Sequence, residues 1–105
     1  MDDFSKEILF CVYENSIYSE NLFSLTEFSE KFLLGEIRDR KEISKFKFLK
    51  SMHVLENLDL LTKNSNHHLT TLSSWKITEK AAKKFEKISR RKIFKEKEFI
   101  QTFFN

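Results

Sequence analysis

Residues 44–61 read SKFKFLKSMHVLENLDLL, and the fold turns on how this stretch is read. Ser44 offers the hydroxyl of an N-cap, and the spacing behind it predicts a helix from about Lys45 to Leu58. Phe48, Met52, Leu55 and Leu58 fall on one stripe at helical spacing, while Lys47, Lys50, Ser51, Val54 and Asn57 fall on another. Asp59 stands where a helix commonly ends on Gly or Asn, and Asp takes the left-handed conformation at small cost. Leu60 to Lys63 then reads as a strand, and Asn64-Ser65-Asn66-His67-His68 supplies turn residues. Thr71 to Thr78 is rich in β-formers and reads as the returning strand. A helix running into a polar-tipped hairpin is the nucleus of the reading.

Upstream, Asp3 to Glu14 predicts a first helix with Phe4, Ile8, Cys11 and Val12 on one face and Leu9, Phe10 and Tyr13 elsewhere. A helix apolar nearly all round is buried on two sides. Its second cover is either another subunit or the C-terminal helix of the same chain. Asn15 to Leu22 reads as a loop, with an extended piece near Asn21–Phe23. Ser24-Leu25-Thr26-Glu27 fits a capping box, opening a second helix that sets Phe28 and Phe32 on one face. Gly35 is its natural left-handed stop, after which Glu36 to Glu42 is charged and irregular around an anchor at Ile37.

Downstream, Thr78 caps a final helix over about 79–104. Its apolar arc runs from Ala81, Ala82 and Phe85 through Ile88 and Ile93 to Phe99, Ile100, Phe103 and Phe104. Lys80, Lys83, Lys84, Lys87, Arg90, Arg91, Lys95 and Lys97 occupy the opposite arc. Ser89, Lys92 and Glu96 thin the apolar stripe and leave room for a break near residue 92.

Composition supports this outline by exclusion. The chain of 105 residues holds one Gly, no Pro, one Cys and twelve Phe. A chain of ordinary composition would carry about seven Gly and five Pro. A Walker loop, a dinucleotide fingerprint and a nucleophile elbow each need two or more glycines at fixed spacing, so none is present. An all-β domain would need more turn-shaping residues than these. With no repeat, linker or low-complexity tract, residues 1–105 read as one mainly α domain with a small β-hairpin. Met1-Asp2-Asp3 is acidic where a secretory leader is basic, and Ile8 to Tyr13 is too short for a leader core or a membrane span. Together with the lone Cys11, this favours a reducing cytoplasm.

Charge is unevenly spread. Residues 1–40 carry four Lys/Arg against nine Asp/Glu, whereas residues 41–105 carry fifteen against seven. A polyanion is the partner such asymmetry suits.

The order helix, helix, helix, hairpin, helix resembles a winged helix-turn-helix domain of the MarR-like and PadR-like regulators. Four segments carry the resemblance: Ser24–Phe32 (SLTEFSEKF), Ile43–Met52 (ISKFKFLKSM), Leu55–Leu61 (LENLDLL) and Trp75–Ala81 (WKITEKA). Two features depart from it. Leu33 to Glu42 is longer than the usual turn between the second and third helices, and the hairpin has no arginine at its tip. The resemblance implies an α-α-α-β-β-α winged helix that binds double-stranded DNA as a homodimer and regulates transcription.

On that reading the third helix (about 44–58) and the wing (about 60–78) contact DNA through Ser44, Lys45, Lys47, Lys50, Ser51, Lys63, Asn66, His67 and His68. The dimer contact implied is Leu9, Phe10 and Tyr13 with Phe99, Ile100, Phe103 and Phe104. The basic last helix could instead follow DNA backbone or lie on an acidic membrane. Phe46, Leu49 and Val54 are unusual for a helix lying in a groove and support a different reading, a protein-interaction module. Nothing points to catalysis, a cofactor or a small-molecule substrate. His67 and His68 are neighbours on a strand, point to opposite faces and make poor metal co-ligands.

Overall fold

The computed structural model describes residues 1–18, 22–65 and 73–105. Its elements are α1 (Asp3–Ser16), a 3₁₀ turn (Phe23–Leu25), β1 (Glu27–Ser29), α2 (Glu30–Arg38), α3 (Lys45–Asn57), β2 (Leu61–Ser65), β3 (Ser73–Ile77), α4 (Glu79–Arg90) and α5 (Glu96–Phe103). The protein is mainly helical, with a three-stranded antiparallel sheet in the order β1-β3-β2.

α1 starts where Asp2 accepts a hydrogen bond from the Ser5 amide, and the Ser5 side chain and amide together lower the Asp2 pKa. It is the central helix of the core. Phe4, Ile8, Leu9, Phe10, Cys11, Val12 and Tyr13 are all buried, and α2, α3 and α5 all pack on it. The apolar surplus of this helix is therefore covered from within the chain. Phe99 of α5 lies 5.4 Å from the Phe10 ring and 4.7 Å from the Tyr13 ring. Of the residues expected at a dimer contact, Leu9, Phe10, Tyr13, Phe99 and Phe103 are instead buried in the chain's own core, and Ile100 and Phe104 pack half-buried against it.

The second helix begins later than its local signal. Leu22 to Thr26 is taken up by the 3₁₀ turn, in which the Leu25 and Thr26 amides bond to the Leu22 and Phe23 carbonyls. Glu27–Ser29 then pairs with Ser74–Lys76, so the capping box at Ser24 is not used and Phe28 lies in a strand opposite Trp75. Ser29 caps α2 instead, accepting from the Phe32 amide at 3.1 Å. Sheet pairing outweighs the local cap because it satisfies several backbone groups where the cap satisfies one or two. Gly35 does not stop the helix. It lies inside α2 with negative φ, and the helix runs on to Arg38.

The connection to α3 is thus residues 39–44. Arg40 pairs with Glu14 and Lys41 with Glu7, at 2.6 Å for the second pair, which ties this connection to α1. The Arg38 Nε–H also donates to the Ile43 carbonyl at 3.3 Å. α3 begins on Ser44, whose hydroxyl accepts from the Lys47 amide at 3.1 Å. It ends with Asp59 at φ 59°, the Asp59 amide bonding to Glu56 O and the Leu60 amide to Leu55 O. This double closure is a Schellman motif, with buried Leu55 and Leu60 as its hydrophobic pair.

The expected single helix over 79–104 is two. α4 closes with Lys92 at φ 56°, Lys92 N bonding to Ser89 O and Ile93 N to Ile88 O. That is a second Schellman motif, and it turns the chain so that α5 folds back onto α1 and α4. The Tyr13 hydroxyl donates to the Ile93 carbonyl at 2.8 Å, joining α1 to the turn.

Candidate nucleic-acid interface

The orientation of α3 follows from its buried residues. Phe48, Ser51, Met52 and Leu55 face the core. At about 100° per residue the side opposite them is Phe46, Lys50, His53 and Asn57, and all four are exposed. Lys45 and Lys47 are also exposed and flank this face on its two sides. Lys45 borders a groove with Ser29, Glu30, Leu34, Phe48 and Ser73. The Lys47 ammonium lies 5.4 Å over the Phe4 ring.

The expected surface is corrected at one end and extended at the other. Ser51 does not face outward; it is 3% exposed. It lies three residues after Phe48 and four before Leu55, so it shares their face. Leu58, placed on the core stripe from spacing, is instead 42% exposed at the end of the helix. Ser51 takes the place of Leu58 on the same side of the buried stripe, whose axis is unchanged, and His53 and Asn57 lie exposed opposite it. Both were missing from the expected contacts. The usable signal was the triplet Phe48-Ser51-Leu55, in which a small residue sits between two large ones at helical spacing.

No carboxylate occupies the four outermost positions of α3. The nearest is Glu56 on the flank, whose Oε1 lies 3.2 Å from His53 Nδ1. Beyond His53 the face meets the sheet, with the Trp75 ring 6.2 Å from the imidazole in an edge arrangement. Trp75 is held by its indole N–H, which donates to Glu30 Oε1 at 3.2 Å and locks the start of α2 to β3.

Lys63, opposite Trp75 in the register, lies half-buried with its ammonium 5.9 Å from the indole ring. On the other face of the sheet, Glu27 accepts from Ser74 and Asn64, and these bonds hold its carboxyl below the usual range. Asn66, His67 and His68 lie outside the described residues.

The basic arc of α4 serves two purposes. Lys80 donates to the Leu58 carbonyl at the end of α3, and Lys84 donates to the Phe103 carbonyl at the end of α5. Cations at helix C-termini are favourably placed against the helix dipole. Lys83, Lys87, Arg90 and Arg91 remain exposed. No described helix is long and apolar enough to cross a membrane, and Cys11 is buried, which pushes its thiol pKa up to about 11. No known protein family, curated protein or solved structure matches the chain.

Proposed function

We propose that this protein binds double-stranded DNA through α3, in a winged helix-turn-helix arrangement, and acts as a small transcriptional regulator. The outward face of α3 carries the proposal: Lys50 at its centre, Lys45 and Lys47 on its flanks, and His53 and Asn57 further along it. A helix entering a major groove needs cations near the phosphates and hydrogen-bonding tips toward base edges. Lys45, Lys47 and Lys50 supply the first, and Asn57 and His53 the second. The element order and the β1-β3-β2 sheet are consistent with a winged helix, β2 and β3 forming the wing. The basic balance of residues 41–105 supports the same partner.

Fluorescence anisotropy with a random-sequence duplex of about 25 base pairs, titrated with salt, tests the reading. Log affinity should fall against log salt with a slope near −0.9 for each phosphate neutralised. The triple variant Lys45→Ala, Lys47→Ala, Lys50→Ala, all at exposed positions, should keep its circular dichroism and lose about three units of that slope. No binding at 50 mM salt, or an unchanged slope in the triple variant, would remove the proposal. The reading needs one copy of the chain. Sedimentation of the complex reports whether a second copy joins, which would set two α3 helices about 34 Å apart on a near-palindromic site.

A second reading, a protein-interaction module, draws on a different surface. Ile17, Leu22, Phe23 and Phe94 line an open groove of about 590 Å³ between the ends of α1 and α4. Leu22 and Phe94 are exposed there. Leu49 and Val54 are half-buried, so of the three α3 residues first considered for this role only Phe46 is well exposed.

A further inference from the structure

Phe46 is the most exposed phenylalanine among the described residues, at 78% of its full accessibility. Of the twelve Phe in the chain, Phe48, Phe85, Phe99 and Phe103 are essentially buried, so the fold has ample use for such rings and leaves this one out. Its position is defined by the helix: directly opposite the core, one turn before Lys50, between Lys45 and Lys47. An exposed aromatic ring on a helix surface that also exposes Lys45, Lys47 and Lys50 constrains the partner that can cover it. A protein surface closing over Phe46 would also desolvate those lysines, which is costly unless each finds a carboxylate. A DNA duplex divides the two requirements in space, with phosphates along the groove edges and bases at its floor. The apolar group on that floor is the C5-methyl of thymine.

We infer that Phe46 reads thymine, its ring packing on the C5-methyl while Lys45 and Lys47, on the two flanks, hold the neighbouring phosphates and Lys50 follows one turn along the same face. The inference rests on the duplex-binding reading and gives it a base preference. It also accounts for a recognition face with few hydrogen-bonding tips, since a methyl contact needs none.

Two duplexes of alternating adenine and pyrimidine test it, one with thymine and one with uracil in its place. They keep the same charge and pairing and differ in the methyl group alone. The wild-type protein should bind the thymine duplex three- to tenfold more tightly. Phe46→Ala, at a position free of core contacts, should bind both duplexes equally, with the salt slope of the wild type. Equal wild-type affinity for the two duplexes, or a thymine preference that survives in Phe46→Ala, overturns the assignment and leaves duplex binding intact. Failure to bind either duplex at low salt overturns the duplex reading and the assignment together.

Discussion

Lys92 holds φ at 56° to close α4, a conformation that L-residues with a Cβ avoid. The left-handed region costs such a residue roughly 1–2 kcal/mol. Glycine carries no such cost, but its freer unfolded chain returns roughly 0.5–1 kcal/mol. Lys92→Gly should therefore stabilise the fold by about 0.5–1 kcal/mol. For a chain of this size that corresponds to a rise in Tm of about 3–6 °C. The side chain is exposed, so little packing is lost. Lys92→Ala separates backbone from side chain, because alanine keeps the Cβ and removes the charge. Urea and thermal unfolding of the three proteins should place Ala beside wild type and Gly above both. Asp59→Gly should gain less, since Asp tolerates φ 59° better than Lys does. A glycine variant no more stable than the alanine variant would refute the argument from backbone strain.

Ser29→Ala should cost about 1 kcal/mol by urea denaturation, through loss of the cap on Phe32, whereas Ser24→Ala should leave the midpoint within about 0.5 kcal/mol. Tyr13→Phe leaves the buried Ile93 carbonyl without its donor and should cost about 1–3 kcal/mol in the same assay. Alkaline pH should weaken the fold. Burial raises the Cys11 thiol from 9.0 to about 11 and the Tyr13 phenol from 10.0 to about 12. Between pH 9 and 12 the unfolded chain has therefore released protons that the folded chain retains, and stability falls as pH rises. Urea midpoints at pH 7.5, 9 and 10.5 should decline, and the decline should flatten in a Cys11→Ala, Tyr13→Phe double variant compared with itself at pH 7.5.

Local signals in the sequence located the elements whose boundaries are decided locally. Ser44, Asp59 and Thr78 each act within a few residues of themselves, and the limits of α3, its exit and the start of α4 fall where those residues put them. The hairpin strands were legible from β-formers flanking a polar stretch, although Asn64 and Ser65, expected in the turn, pair with Ser74 and Ser73 and extend β2. What was not legible depended on distant partners. The start of α2 is set by pairing with β3, the persistence of α2 past Gly35 by the burial of Leu33 and Ile37, and the cover on Phe10 and Tyr13 by the return of α5. The candidate face followed the same pattern. Lys45, Lys47 and Lys50 could be read from exposure-prone residue types, but excluding Ser51 and adding His53 and Asn57 required the observed burial of each residue.

The pairing of β1 also has a consequence in time. Ser74 lies 47 residues after Glu27, so a growing chain completes the segment from Ser24 to Arg38 long before the partner strand exists. During that interval β1 has nothing to pair with, and a segment this short holds little helix on its own. The strand and the Ser29 cap are therefore settled only when Ser73–Ile77 arrives. The start of α2 is in this sense decided by residues made well after it.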